Sequence, residues 1–317
     1  YSMPSSHRAL LALYALIFLL GVVGNGAVLR VSACELRRTV NGVWFLNLAL
    51  ADLLCCLALP FLALPLAADH HWPLGGFACK LLPSLTVLNM FASVLLLAAL
   101  SADRCALVAL PVWCHNHRGP GLARGACAGA WGVAAILTLP SFVFRTARRD
   151  PYSRKVVCTL AYEGFESPSG RRRAEVSIAL VRMLCGFLLP FLSIAVCYGL
   201  LLARLRARGL GGTGSGSRGS RRATVTVLVV VLSFFACWFP YHAVGMVLAA
   251  SDPRSSLFKR AQAADPLVAG VAYLNSCLNP FIYLLLGHCR RRRRRRSWRA
   301  VLRGVLGDDP DGASGSG

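Results

Sequence analysis

Between Lys80 and Asp103 lie 22 residues, Leu81 to Ala102, without one charged side chain. As a helix rising 1.5 Å per residue, that run is about 33 Å long, enough to cross a hydrocarbon layer roughly 30 Å thick. Five further runs are equally free of charge: Ala9–Leu29, Gly125–Phe144, Met183–Ala203, Ala223–Ser251 and Pro266–Gly287. A seventh, Thr39–Ala68, is broken only by Asp52 near its middle. Buried helices of soluble proteins rarely run so long without charge on one face. The chain is 56% hydrophobic and 15% charged, and its blocks predict an all-α membrane protein, a seven-transmembrane helix bundle.

Three parts follow: a bundle over 1–287, an amphipathic eighth helix lying on the membrane surface over 288–306, and a disordered tail over 307–317. Trp298, Val301, Leu302 and Val305 recur at helical spacing between arginines, the pattern of a helix resting on a leaflet. Gly209 to Ser220 has the composition of a flexible linker. Arg145 to Glu175 is expected as the second outer loop, polar and arginine-rich. About eight residues precede the first run, and no cleavable signal segment is expected among them.

The net charge is +22, and its placement gives the orientation. Seven spans put the termini on opposite sides. The side of the C-terminus holds Arg37, Arg38, Arg118, Arg124, six arginines from Arg204 to Arg222, and Arg290 to Arg296 without interruption. The positive-inside rule makes that side cytoplasmic, so the N-terminus is extracellular at the plasma membrane. An arginine run at the end of a span suits anionic membrane lipids and acidic partners; no nucleic acid is expected.

Of thirteen cysteines, most lie inside the apolar runs, where cysteine acts as a small apolar residue. No Cys-x-x-Cys pair occurs, and no metal site is expected. Cys79, at the outer end of the third span, and Cys158, in the second outer loop, both face an oxidising compartment and are expected to be disulfide-bonded. Pro60, Pro140, Pro190, Pro240 and Pro280 punctuate the spans; each removes a backbone hydrogen bond and bends its helix.

Charged groups inside a bilayer cost several kcal/mol unless paired or hydrated. Asp52 lies at the depth of Asn25, Ser93, Asn275 and Asn279. Such a cluster suits a small monovalent cation, an allosteric sodium ion, or a proton; a helix–helix hydrogen-bonded clamp is the equal alternative. Asp103 and Arg104 stand side by side at the inner boundary. Arg104 is either an interfacial anchor snorkelling to water or half of a latch closing the inner helix ends.

Short motifs occur one per span and in order: "GN" at Gly24–Asn25, "NLALAD" at Asn47–Asp52, "DRC" at Asp103–Cys105, Trp131, Pro190 with Tyr198, "CWFP" at Cys237–Pro240 and "NPFIY" at Asn279–Tyr283. The chain resembles rhodopsin-like G-protein-coupled receptors over essentially its whole length. The resemblance implies an activation switch of Asp103, Arg104, Tyr198, Phe234, Trp238, Pro240, Asn279, Pro280 and Tyr283. Arg104 would leave Asp103 and meet Tyr198 and a G-protein helix. Cys105 stands where the family commonly has tyrosine, a change that spares the charged pair.

In the outer half, Arg182 lies eight residues before Pro190, Asp265 opens the seventh span and Arg145 ends the fourth. One acid and two bases facing a cavity suit a ligand carrying both a carboxylate and a cation; the alternative is that Arg182 pairs with Asp265. Tyr241 is placed with them. "RTVNGVWFLNLALADLLCCLALP", the "HHWP" stretch, "SADR", "PSFVFR" and "VRMLCGFLLP" resemble chemoattractant receptors, especially complement anaphylatoxin receptors of the component 5 type. That implies a receptor, not an enzyme, in chemotaxis and inflammation. Its partners would be an anaphylatoxin, a heterotrimeric G protein of inhibitory type and arrestin. Arg182 would bind the carboxylate of the ligand's terminal arginine, Asp265 its guanidinium, and Arg145 would line the entrance. The rivals are a formyl-peptide or component 3 receptor and a non-signalling decoy. The outer loops are net basic, a face that repels a cationic ligand unless an acidic arm offsets it.

Overall fold

The computed structural model describes residues 4–151, 153–162, 167–207, 215–288 and 297–307. Seven helices are long and apolar enough to cross a membrane. They comprise α1 (Ser5–Cys34), α2 (Val40–Leu62), α4 (Gly75–Ala109), α6 (Pro120–Val143), the pair α7 (Pro168–Met183) and α8 (Leu189–Ala207), α9 (Ser215–Ala250) and α10 (Ser256–His288). Short helices α3 (Leu64–Ala67) and α5 (Pro111–His117) lie in connections, and α11 (Trp298–Leu306) follows the bundle. The end carrying the N-terminus is called outer below.

The bundle is apolar on its outside. Val23, Ile136, Leu192, Val196 and Leu232 are all more than half exposed, while Asp52, Asn25, Asn89, Ser276 and Arg104 are buried. In water such a surface would associate without limit; in lipid it is solvated. The central rod is α4, which touches α2, α6, α8 and α9. Close approach is built at small residues: a Cβ on Gly24 would lie 2.9 Å from the Pro280 ring, where α1 meets α10.

Several expected boundaries move outward. Arg171 to Glu175, assigned to the second outer loop, form part of α7, whose first turn is capped by the Ser167 hydroxyl accepting from the Gly170 amide. Asp265 does not open the seventh span but lies inside α10, which begins at Ser256. Arg145 does not end the fourth span; it begins strand β1 (Arg145–Arg149). Helices continue past the apolar runs because backbone hydrogen bonding does not stop where hydrocarbon does. Likewise Ser215 to Ser220, read as linker, are the first turns of α9; residues 208–214 lie outside the described residues. Between α7 and α8 is one π-helical turn, Leu184–Leu188, just before Pro190. Proline has no N–H for the Gly186 carbonyl, and a widened turn takes up the mismatch.

Strand β1 pairs antiparallel with β2 (Val156–Leu160), Arg145 opposite Leu160 and Arg149 opposite Val156. This hairpin is held to the outer rim by several contacts, among them the Val156 amide donating to His71 Nδ1 at 3.2 Å. The Cys79–Cys158 disulfide forms as expected, Lys155 pairs with Asp69, and the Trp72 amide donates to the Val156 carbonyl at 2.7 Å. The eighth helix forms as α11. Of the segment 288–306 expected to form it, His288 ends α10 and 289–296 lie outside the described residues; of the expected tail, 307–317, all but Gly307 lies outside them. In α11, Leu302, Val305 and Leu306 are buried against the bundle, Trp298 is exposed, and Arg303 pairs with Glu35.

Replacing Cys79 by serine removes a crosslink spanning 79 residues. The expected loss is about 2–4 kcal/mol, read as a lower thermal midpoint in detergent micelles, with new tryptic cleavage at Arg149 or Arg154. An unchanged midpoint and digest would mean that the Lys155, Trp72 and His71 contacts hold the hairpin without the disulfide.

Candidate functional site: an outer charged cluster and an inner arginine pair

In the outer half, α7, α9, α10 and the start of β1 bring Arg182, Tyr241, Asp265 and Arg145 together. Arg182 Nη1 donates to the Tyr241 hydroxyl at 3.3 Å. Arg145 Nε is buried with no hydrogen-bond partner among the described residues. Burial holds the Arg145 guanidinium below the usual arginine range, a pull that the Tyr241 phenol opposes and Arg182 reinforces; arginine remains charged regardless. The charges of Arg145 and Arg182 reach Asp265, yet among the described residues no ion pair within 4.0 Å joins it to either arginine. The cluster thus holds charges of both signs without consuming them in each other.

Aromatic groups that sequence reasoning did not single out surround this cluster. Tyr162 packs at a tilt against Phe144, ring centroids 5.1 Å apart, and lies in the field of Arg182, Glu175 and Arg145; burial, more than those charges, pushes its phenol up. Tyr14 donates to the Pro266 carbonyl at 3.1 Å and meets Tyr273 edge-on at 5.5 Å. Beneath Tyr241, Trp238 Nε1 and His242 Nε2 are buried and unpartnered among the described residues. His242 falls four residues after Trp238, one helical turn, which is the signal that could have found it.

At mid-depth, Asp52 is fully buried and accepts from Asn279 Nδ2 at 2.8 Å. Asn89, with its amide nitrogen turned inward, lies 3.3 Å from Asp52 Oδ1 and 3.2 Å from Ser93 Oγ, while its oxygen accepts from Ser276 Oγ at 3.0 Å. Asn25 donates to the Ser276 carbonyl at 2.7 Å. The cluster read from the sequence therefore joins through Asn89 and Ser276, which it lacked; Asn89 sits one turn before Ser93. Asn275 is adjacent but makes no side-chain hydrogen bond among the described residues, and Asn279 Oδ1 is also unpartnered. A carboxylate, a hydroxyl and an orphaned amide oxygen form a donor set of the hardness a small monovalent cation needs.

At the inner end, Asp103 and Arg104 lie within ion-pair distance, 3.5 Å, but the carboxylate's short contacts come from Arg118. Arg118 Nε and Nη2 bind its two oxygens at 2.8 and 3.1 Å. Arg104 Nη2 donates to Asn41 at the start of α2. Tyr198 donates to the Thr224 carbonyl at 3.4 Å, with Ser101 in hydrogen-bond reach and Arg104 in range. Tyr283 is buried edge-on to Phe45 at 5.0 Å. Phe234 and Trp238 pack at 5.9 Å, six and two residues before Pro240, and Pro280 lies within α10 next to Asn279. Trp131 Nε1 donates to Asn47 Oδ1 at 3.0 Å.

Residues 24–283 match the profile of the 7 transmembrane receptor (rhodopsin family). The chain belongs to that family. Among relatives of this receptor, the rabbit (Oryctolagus cuniculus) C5a anaphylatoxin chemotactic receptor 1 is 48% identical over 299 residues, 94% of this chain and 82% of its own. The human (Homo sapiens) protein of that name is 45% identical over 302 residues, with the same two shares, 94% and 82%. The rat (Rattus norvegicus) protein is 44% identical over 304 residues, 95% of this chain and 82% of its own. The receptor's ordered motifs thus sit on a matched seven-span frame, and its polar groups line the interior of that frame at three depths.

Trp131→Phe would leave the Asn47 oxygen without its donor inside the bundle. The expected cost is about 1–2 kcal/mol, seen as a lower thermal midpoint in micelles; no shift would mean that the α2–α6 contact rests on packing alone.

Proposed function

We propose that the receptor sits in the plasma membrane with its N-terminus outside, binds the complement C5a anaphylatoxin, and activates a heterotrimeric G protein of inhibitory type in chemotaxis and inflammation. The observation that carries the ligand reading is the outer cluster, where Arg145, Arg182 and Asp265 feel one another without pairing. A peptide ending in arginine offers a carboxylate and a guanidinium on one residue. Arg182, already oriented by Tyr241, takes the carboxylate as a two-point contact; Asp265 takes the guanidinium; Arg145 lines the entrance. The names of the relatives favour C5a over component 3 fragments or formylated peptides. Inside, Arg104 exchanges partners on activation and meets Tyr198 and the G protein, while Trp238 relays ligand contact to Phe234 and Pro240. Arrestin is the expected second inner partner, and the arginine-rich inner segments favour anionic lipid. No enzymatic step is proposed.

The test is binding of a C5a C-terminal peptide and of its des-arginine form. Arg182→Gln should weaken the arginine-ended peptide by about tenfold or more, the scale of a lost charge-assisted contact, and the des-arginine peptide little. Equal losses for both peptides would defeat the pairing. Formylated peptides binding in place of either would defeat the ligand class.

The mid-depth cluster is proposed to hold a sodium ion on Asp52, Ser93 and the Asn279 amide oxygen, supplying charge balance to a buried carboxylate. By mass action, sodium should raise the thermal midpoint relative to choline at equal ionic strength. Asp52→Asn should abolish that rise; a rise that survives the change would place the ion elsewhere.

A further inference from the structure

The inner carboxylate has two cationic neighbours, and the one adjacent in sequence is the weaker. Arg118 presents its guanidinium fork to both Asp103 oxygens, the geometry of a strong two-point pair. Its side chain is 4% exposed and that of Asp103 11%, so water screens the contact far less than at an open surface. Arg104 is 3.5 Å from one of the same oxygens. It must bend back along α4 to reach it, because adjacent helical residues do not face each other. The same Arg104 nitrogen that approaches Asp103 also donates to Asn41.

Arg118 is also fixed from behind. It caps the C-terminus of α5, its amide donating to the Cys114 carbonyl at 2.9 Å, and Cys114 is buried. Gly119 and Pro120 follow at once and begin α6. The guanidinium is thus carried by the junction of α5 and α6, so a shift of that loop against α4 alters its grip on Asp103.

We propose that Arg118 is a positioning residue of the inner switch: from the second inner loop it occupies the Asp103 carboxylate, weakens that group's hold on Arg104, and so leaves Arg104 turned toward Asn41. A carboxylate shared between two arginines binds each less tightly than it would bind one. The latch between Asp103 and Arg104 is therefore partly released before any ligand arrives, and the loop sets how far. The inference rests on the proposed coupling to a G protein, since nucleotide exchange is its main readout.

The experiment compares the intact receptor, Arg118→Gln, Arg118→Lys, Asp103→Asn and the Asp103→Asn/Arg118→Gln pair. Each is measured in membranes for guanine-nucleotide exchange with and without C5a, per receptor at the cell surface. Arg118→Gln leaves Asp103 to Arg104 alone. Agonist-independent exchange should fall about threefold or more, and the concentration response should move right by a like factor. C5a binding without G protein should stay the same. Arg118→Lys keeps the charge but loses the fork and should fall between. In the Asp103→Asn background the Arg118 change should add nothing, which a general loss of folding would not reproduce. Higher exchange in Arg118→Gln, or an undiminished effect in Asp103→Asn, would overturn the proposal. If the intact receptor gives no exchange with C5a, the functional reading fails. The pair is then judged by a double-mutant cycle of thermal unfolding, where additive shifts would refute the Asp103–Arg118 contact.

Discussion

Hydrocarbon offers no hydrogen bonds, and that single deficiency organises this protein. Every backbone amide within the membrane must be paired inside its own segment, which leaves helices as the available form for these runs. Every polar side chain must find protein or trapped solvent rather than lipid. The result inverts a soluble fold: leucine, isoleucine and valine cover the outside, while Asp52, Asn25, Asn89, Ser276 and Arg104 lie within. The polar seam is concentrated because groups that cannot face lipid can only face one another.

α4 carries one component of each layer of that seam. Cys79 ties its outer end to the hairpin; Asn89 and Ser93 join the Asp52 cluster midway; Asp103 and Arg104 stand at its inner end. Pro83 lies in α4 between Cys79 and Asn89, so the outermost of these places is joined to the other two through a turn that lacks one backbone hydrogen bond. The elements around it share that feature. Pro140, Pro240 and Pro280 interrupt α6, α9 and α10, and the π-helical turn precedes Pro190. At each, a backbone hydrogen bond is missing or displaced, so bending there costs less than elsewhere.

Much of this was legible in the sequence, and unevenly. The seven spans were plain because hydrocarbon thickness sets a length that charge-free runs reveal directly. The motifs fell in order on those spans, and the charged trio Arg145, Arg182 and Asp265 was found as a set. Helix ends were not legible: α7 begins among arginines and α10 ten residues before its apolar run, because water solvates a helix terminus as readily as a loop. The hairpin was missed, since Arg145 to Arg149 alternate no apolar residues and are held by partners on other segments. Asn89 and Ser276 were missed because a lone asparagine or serine in an apolar run carries no mark of what lies opposite.

What the sequence determined by itself was the phase the chain occupies, the number of crossings, the side that bears the cations, and the two cysteines able to meet outside. These depend on transfer of each residue from water and on segment length, properties additive along a chain. Tertiary structure decided partnership: that Asp103 is gripped by Arg118, fifteen residues away, more closely than by its neighbour, and that Arg104 turns to Asn41. The arginines and the acid of the outer cluster likewise share a space without pairing. Partnership depends on distance and direction between side chains on different rods. Those are fixed by how seven helices pack and tilt, not by the spacing of letters on any one of them.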